Sequence, residues 1–165
     1  MSETQKLLIA NEGYSRTQFP GKLPIPPSRH VAVLACMDAR LVVSQLLGLK
    51  AGEAHVIRNA GGIATDDAIR SLIISNELLG TKEFLVINHT DCGMLTFRDE
   101  DLQKKLGTKY GRDASSIRFY SFPDLEENVK QQVQRIKNHE LIPKNIPVTG
   151  LIYEVETGKL RKVAS

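Results

Sequence analysis

The sequence predicts an α/β fold, in which helices flank a mostly parallel four-stranded sheet and a C-terminal strand is added antiparallel at its edge. Short apolar runs rich in β-branched residues, at 31–35 and 84–88, predict buried strands. Segments with apolar residues at helical spacing lie between and after them. Strands that alternate with helices form parallel sheets, because each helix returns the chain to the same edge. A turn sequence at 156–159 separates the last two apolar runs and predicts the antiparallel pair.

The N-terminal segment, residues 1–29, is predicted to form a helix followed by an extended arm. Residues 4–15 suit a short helix, and the apolar residues 7–9 would form a small patch on it. Residues 20–27 contain four prolines, which remove backbone donors and hold the chain extended. We expect this arm to lie across the domain or to reach toward a partner subunit.

The middle of the chain is predicted to alternate between strands and helices. The strands are expected at 31–35, 54–57 and 84–88, and the helices at 41–47 and 66–79. The second helix carries the clearest signals, because Thr65 can cap it and the acidic Asp66 and Asp67 suit the positive end of its dipole. Gly48 and Gly80 are expected to end the two helices.

The C-terminal third begins with a polar stretch at 107–121 that contains two glycines, Gly107 and Gly111. It is a mobile lid or a surface loop, and the composition favours the loop. Pro123 then opens a predicted amphipathic helix. The apolar face of this helix comprises Leu125, Val129, Val133 and Ile136. Strands are predicted at 148–155 and 160–163, on either side of the turn.

Composition limits the classes of function. A chain of 165 residues predicts one domain with a sizeable core. The net charge of +3 comes from scattered basic residues, which excludes nucleic acid as a predicted partner. The longest apolar run, 31–37, is too short to cross a membrane, and the first residues show no signal peptide. Both cysteines lie in motifs with chemical functions, so we expect free thiols and a cytoplasmic location.

Two motifs carry the chemistry, and each follows a predicted strand. Cys36-Met-Asp-Ala-Arg40 follows the strand at 31–35, and His89-Thr-Asp-Cys92 follows the strand at 84–88. The carboxyl ends of parallel strands are where open α/β sheets place their sites. Two thiolates and an imidazole are ligands that Zn²⁺ takes, and three protein ligands leave the fourth position free for water. The motifs therefore predict a catalytic zinc site formed by Cys36, His89 and Cys92.

Asp38 and Arg40 predict a second element of the site. They are two residues apart, so in an extended segment both side chains point the same way. A guanidinium can hold a carboxylate in two hydrogen bonds and keep it ionised. An aspartate held in this way could accept a hydrogen bond from a zinc-bound hydroxide and so orient its lone pair toward an electrophile. A released Asp38 could instead take the fourth zinc position and close the site.

Less specific interpretations exist for each of these residues. Cys36 alone would be a small buried apolar residue, and with His89 as a base it could be a redox or nucleophilic cysteine. A non-catalytic zinc module is a further alternative. Neither is favoured, because both motifs lie at strand ends and the Asp–Arg pair accompanies them. His55 is expected to be structural, and His30 and His139 to lie at the surface.

The motifs resemble those of the β-class carbonic anhydrases. The resemblance rests on Cys36-x-Asp38-x-Arg40, on His89-x-x-Cys92-Gly93 and on Arg58-Asn-Ala-Gly-Gly62 between them. It implies a zinc enzyme that hydrates CO2 to bicarbonate through zinc-bound hydroxide, and that forms a homodimer or a dimer of dimers. It also implies that Cys36, His89 and Cys92 are permanent ligands, that Asp38 is a fourth ligand only in a closed form, and that Arg40 draws Asp38 away.

The residues within these motifs resemble those of a short-chain subgroup of the family that also contains carbonyl sulfide and carbon disulfide hydrolases. CO2 hydration is the preferred interpretation, with carbonyl sulfide hydrolysis by the same hydroxide as the alternative and carbon disulfide hydrolysis less favoured. The chain has no tryptophan, so a bicarbonate regulatory site that contains this residue is excluded. Arg58 and Asn59 are expected to fix backbone around the site. Gly61 and Gly62 indicate positive φ or close backbone approach.

Overall fold

The computed structural model describes residues 1–165 and confirms the predicted fold class. A single five-stranded sheet has the order β2-β1-β3-β4-β5. The strands are β1 (Val31–Cys36), β2 (Ala54–Asn59), β3 (Glu83–His89), β4 (Val148–Tyr153) and β5 (Leu160–Ala164). The first four lie parallel, and β5 pairs antiparallel with β4. The carboxyl ends of β1 and β3 therefore lie side by side at one edge of the sheet.

Five helices accompany the sheet. They are α1 (Glu3–Thr17), α2 (Val43–Leu46), α3 (Asp66–Glu77), α4 (Asp99–Tyr110) and α5 (Leu125–Asn138). Single 3₁₀ turns at Ala60–Gly62 and Gly93–Leu95 follow β2 and β3 in the chain. No helix is long and apolar enough to cross a membrane.

One core cluster lies between the sheet and helices α3 and α5, and a second, which includes Cys36 and Cys92, lies on the other face of the sheet. Every residue of β1 after Val31 is buried, as expected for a central strand that is covered on both faces. Helix α5 buries Val129 and Val133 very close to β4, where Gly150 makes the approach possible. A Cβ at Gly150 would lie 2.5 Å from Val129 Cγ1, so no larger residue fits there.

Three predicted helices need corrected boundaries. Helix α2 covers only Val43–Leu46 of the expected 41–47. Helix α5 begins at Leu125, because the carboxylate of Asp124, and not Pro123, precedes the first turn and accepts a hydrogen bond from Glu127 N. Helix α3 begins as predicted, with the Thr65 hydroxyl accepting from Ala68 N, and ends at Glu77.

Helix α4 was not predicted, and it takes in the start of the expected loop at 107–121. It buries none of its residues, so it lacks the apolar stripe from which helices are recognised in a sequence. Gly111, with φ of 62°, ends the helix in the left-handed conformation. Helix α1 was predicted and also buries no residue, although Leu7 and Leu8 on its surface are apolar and 68% and 61% exposed.

Candidate metal centre

The three predicted ligands converge in the structure. Cys36 ends β1, His89 ends β3, and Cys92 follows in the turn after β3. One ligand atom from each lies within 4.8 Å of the other two. All three side chains are buried, with 4%, 0% and 3% exposure. The sheet topology brings them together, because β1 and β3 are hydrogen-bonded neighbours in a parallel register.

The imidazole of His89 is oriented as a metal ligand. Its Nδ1 lies 2.8 Å from the carbonyl oxygen of Thr90, and because a carbonyl only accepts, Nδ1 carries the proton. The lone pair is then on Nε2, which is buried and has no hydrogen-bond partner. A buried acceptor without a partner is costly in a folded protein. A metal ion bound by the two cysteines and Nε2 would satisfy it, so the residues present fit a zinc ion.

The two thiols share one proton. A hydrogen bond from Cys92 lowers the pKa of Cys36 to about 4, against the opposing effect of burial. The backbone N–H groups of Asp38 and Gly61 add to this lowering. The same thiol–thiolate hydrogen bond, together with burial, raises the pKa of Cys92. The pair therefore holds one thiolate before any cation binds, and metal binding would displace the second proton.

Arg40 holds the carboxylate of Asp38 in two parallel hydrogen bonds. Nε donates to Oδ1 at 2.9 Å and one terminal nitrogen donates to Oδ2 at 2.8 Å, while the backbone N–H of Arg40 also donates to Oδ1. These bonds hold the pKa of Asp38 well below its usual range. The carboxylate lies beside the ligand cluster, with Oδ2 at 3.7 Å from His89 Nε2. In this structure Asp38 is thus engaged by the arginine.

Arg58 fixes the backbone beneath the site, as expected. Its guanidinium donates to the carbonyl oxygen of Cys36 at 2.9 and 3.0 Å and to that of Asp38 at 2.6 Å. The Asn59 side chain closes the following turn by bonding both the N–H and the carbonyl of Ile63. These contacts hold the segment that carries both the first ligand and Asp38.

The glycine pair at 61–62 approaches the site as closely as the sequence suggested. Both residues have positive φ, 81° for Gly61 and 61° for Gly62. A Cβ at Gly62 would lie 3.0 Å from the backbone nitrogen of Cys36 and 2.7 Å from Nδ2 of Asn88. Only glycine at 62 lets the 3₁₀ turn reach the base of the site, where the backbone N–H of Gly61 helps to lower the pKa of Cys36.

A buried chain of amide side chains supports this turn, and the sequence analysis missed it. Gln132 donates to Asn128, Asn128 donates to Asn88, and Asn88 donates to the carbonyl of Gly61. At the other end, Gln132 Oε1 accepts from the backbone N–H of Ala64. We call these three side chains, Asn88, Asn128 and Gln132, the amide ladder. All three are buried, and each bonds to the next, so the ladder ties α5 to β3 and to the glycine turn.

Asp99 anchors the loop that closes the other side of the site. Its carboxylate accepts hydrogen bonds from the backbone N–H groups of residues 119–121 and from the Ser121 hydroxyl, at 2.7 to 3.0 Å. The next residue, Phe122, is buried in the same apolar cluster as Cys36 and Cys92. The C-terminal part of the segment predicted as a loop or lid is therefore fastened to α4. Nothing in the sequence predicts that Asp99 contacts this loop, and only the folded structure shows it.

The remaining histidines take no part in the cluster. His55 Nδ1 lies 2.7 Å from the Ser75 hydroxyl, which confirms a structural role. The exposed His30 donates from Nδ1 to the carbonyl of Gly80, and His139 accepts from the backbone N–H of Leu141.

The fold and the site define a class: α/β proteins with a Cys-His-Cys metal site at the carboxyl ends of parallel strands. The family model described as carbonic anhydrase matches residues 31–112. Beta-carbonic anhydrase 1 of Mycobacterium tuberculosis is 48% identical over 164 residues, which are 99% of each chain. The chain therefore belongs to the β-class carbonic anhydrase family, and carbonic anhydrase is its enzyme class.

Solved structures give the same assignment. The carbonic anhydrase from Streptococcus mutans superposes with a TM-score of 0.94 at 44% identity, covering 99% of this chain and 98% of that one. Another relative bears a different activity in its name. The carbon disulfide hydrolase of Acidithiobacillus thiooxidans is 39% identical over 181 aligned residues, covering 98% of this chain and 90% of that protein.

Proposed function

We propose that this protein is a zinc-dependent carbonic anhydrase that catalyses the reversible hydration of CO2 to bicarbonate and a proton. The observation that carries the proposal is the convergence of Cys36, His89 and Cys92, in which the buried His89 Nε2 has no hydrogen-bond partner. Beside this cluster, Arg40 holds the carboxylate of Asp38. The family relationship supports it, because the carbonic anhydrase from Mycobacterium tuberculosis matches along nearly the whole chain.

Zinc is the proposed ion because of the donor set. Two thiolates and one imidazole suit Zn²⁺, and three protein ligands are typical of catalytic zinc sites. When bound, zinc lowers the pKa of a coordinated water from 15.7 to between about 7 and 9 and so supplies a hydroxide nucleophile near neutral pH. Cys36, His89 and Cys92 would hold the ion permanently, and Asp38 would join them only in a closed form.

Asp38 and Arg40 are the proposed catalytic residues. Arg40 keeps Asp38 ionised, so that the carboxylate can only accept a hydrogen bond. A carboxylate that accepts from the attacking hydroxyl group turns the oxygen lone pair toward the carbon of CO2. By the same contact Arg40 keeps the carboxylate from being a ligand itself. Orientation of this kind lowers the barrier, because the reacting atoms are held in line before the bond forms.

The test is a comparison of substrates on one sample whose zinc content is measured. We expect one zinc per chain and a kcat/KM for CO2 that rises between about pH 7 and pH 9, where a thiolate-bound zinc water ionises. The variant Cys92→Ala should lose both zinc and turnover. Full activity in a zinc-free sample would contradict the proposal.

Carbonyl sulfide hydrolysis is the second candidate. The relatives named carbon disulfide hydrolase, 39 to 40% identical, favour keeping it. The substrates are linear molecules of the same type, and the same hydroxide attack would release H2S. Strong turnover of carbonyl sulfide with feeble CO2 hydration would assign this activity and leave every residue in its proposed role.

We further propose that the chain acts as one domain in the cytoplasm and assembles as a homodimer or a dimer of dimers. Helix α1 buries no residue in its own chain, while Leu7 and Leu8 lie exposed on it. Strand β2 forms one edge of the sheet and exposes 42% of Val56. A second copy would cover these surfaces. Light scattering should give at least twice 18.3 kDa, and a monomer would refute the assembly.

The proposed cytoplasmic location is supported by the two free cysteines, which suit a reducing compartment.

A further inference from the structure

A second acidic residue, Asp91, binds Arg40 along the guanidinium edge next to the one that Asp38 uses. One terminal nitrogen of Arg40 donates to Asp91 Oδ2 at 2.7 Å, and the other donates to the backbone carbonyl of Asp91 at 3.0 Å. Asp91 lies between the ligands His89 and Cys92, in the same motif, but no role was predicted for it from the motif. The guanidinium therefore links the Asp38 carboxylate to the turn that carries the other two ligands.

The two aspartates do not compete for Arg40. Asp38 takes Nε and one hydrogen of a terminal nitrogen, while Asp91 takes the other hydrogen of that nitrogen and one on the second terminal nitrogen. A guanidinium has five N–H donors, so these four bonds can form at once. The contact with Asp91 leaves intact the two parallel hydrogen bonds from Arg40 to Asp38, which we call the fork. It also fixes the plane of the guanidinium that forms them.

Arg40 needs such a second anchor, because its side chain is 46% exposed. A long exposed side chain loses conformational entropy when it is held in one geometry, and water screens a single exposed ion pair. When two carboxylates and a carbonyl bind the same guanidinium, the entropy of ordering it is lost only once for all of these hydrogen bonds. Asp38 itself is only 20% exposed, so the mobile member of the pair is the arginine.

The turn that presents Asp91 is built for this contact. Asp91 has φ of 54°, the left-handed region that aspartate, asparagine and glycine tolerate. The preceding Thr90 is tied to the end of the sheet, since its N–H donates to the carbonyl of Tyr153 and its hydroxyl accepts from the N–H of Val155. Although the Asp91 side chain is 78% exposed, its backbone is fixed against β4.

We propose that Asp91 is a positioning residue, which holds Arg40 against Asp38 and so keeps the Asp38 carboxylate turned away from the metal position. The proposal rests on the proposed function, because it concerns access to the fourth position of the same metal centre. Without Asp91, Arg40 would leave the fork geometry more often. Asp38, which lies 3.7 Å from His89 Nε2, would then occupy the fourth position in a larger fraction of molecules.

Two variants separate the parts of the contact. Asp91→Gly removes the carboxylate and still accepts a positive φ, whereas Asp91→Asn keeps a hydrogen-bond acceptor and removes only the charge. Asp101→Asn is the matched control, since Asp101 forms an exposed ion pair with Arg98. The probe is thiocyanate, and its binding to the cobalt-substituted protein is followed by visible absorption at a fixed neutral pH.

We expect Asp91→Gly to weaken thiocyanate binding about two- to fivefold, the range that a partly exposed charge pair supports. Asp91→Asn should weaken it less, and Asp101→Asn should leave it unchanged. The same measurements in an Asp38→Ala background decide the route. If Asp91 acts through Asp38, its replacement has no effect there. An equal loss in both backgrounds, or no loss in either, would overturn the proposal.

A measurement without metal keeps this proposal separate from the proposed function. The NMR signal of the Arg40 Nε–H in the metal-free protein reports how well the guanidinium is ordered. We expect it to be sharp in the parent chain and broadened or exchanged in Asp91→Gly. A sharp signal in that variant would contradict the positioning role. Absent CO2 turnover in the zinc-loaded parent chain would instead contradict the proposed function.

Discussion

The metal centre has an inner and an outer side, and different interactions stabilise the two sides. On the inner side, Cys36, His89 and Cys92 are at most 4% exposed. On the outer side, the Arg40 and Asp91 side chains are 46% and 78% exposed. The inner side depends on burial and on hydrogen bonds inside the protein, whereas the outer side depends on charges in contact with water. The difference suits the proposed function, in which the inner side would hold an ion firmly and a carboxylate beside it would move.

The comparison also separates the expected effects of mutation. An inner change removes a ligand or leaves a buried polar group without a partner, which costs metal affinity or folding stability. An outer change disturbs exposed ion pairs, which contribute little to stability but set the position of Asp38.

The largest effect is expected for the inner ligand Cys92. Replacement by serine should remove bound zinc and reduce kcat/KM by more than about 100-fold, since changes to groups that only support metal ligands already cost 10- to 100-fold. The measurements are zinc content and stopped-flow CO2 hydration. Zinc retained at one per chain in Cys92→Ser would show that the cysteine is not a ligand.

The next effect is expected for Arg40 on the outer side. Arg40→Gln should keep zinc but lower kcat/KM about 10- to 100-fold, because Asp38 loses the group that holds it away from the metal. Arg98→Gln changes another exposed arginine and should leave turnover as it is. Loss of zinc in Arg40→Gln would mean that this residue supports the inner side instead.

A smaller effect on stability is expected at the far end of the amide ladder. Gln132→Leu leaves the buried N–H of Ala64 and the oxygen of Asn128 without partners, which should lower the free energy of unfolding by about 1–3 kcal/mol. Gln131→Leu, one residue earlier on the exposed face, should change it by less than about 0.5 kcal/mol. Urea unfolding measures both, and equal values would contradict the ladder.

The smallest effect is expected at Asp99, and it should depend on pH. Burial raises the pKa of this carboxyl, but hydrogen bonds from Ser121, Phe119 and Tyr120 outweigh it, so the pKa is lowered in the folded protein. A lowered pKa stabilises the fold above the unfolded value of about 4 and stops doing so as the pH falls through the folded value. Asp99→Asn should therefore cost about 1–2 kcal/mol near pH 7 and less near pH 3.

Unfolding in urea at both pH values tests this prediction. Glu100→Gln, at the next position of α4, is the control and should show no such difference. A cost in Asp99→Asn that is the same at both pH values would mean that the charge of Asp99 is not what fastens the loop.

The sequence allowed most of the fold to be predicted, and the misses have two causes. Strands β1 and β3 were recognised because they are continuously apolar, and α5 because of its apolar face. Helix α4 was missed because it buries nothing and so carries no periodic signal. Asp91, Asp99 and Gln132 were missed as well, since each acts through a partner far away in the chain.

What the sequence determined by itself was local: the strand ends at which Cys36 and His89 lie, the glycines at 61–62 and the pairing of Asp38 with Arg40 two residues on. These follow from propensity, spacing and ligand chemistry, which act over a few residues. The tertiary structure alone decided which polar groups meet across the sheet. Gln132 lies 68 residues from Ala64, and Arg40 lies 51 from Asp91. Only the parallel sheet and the packing of α5 against it bring such groups within hydrogen-bonding distance.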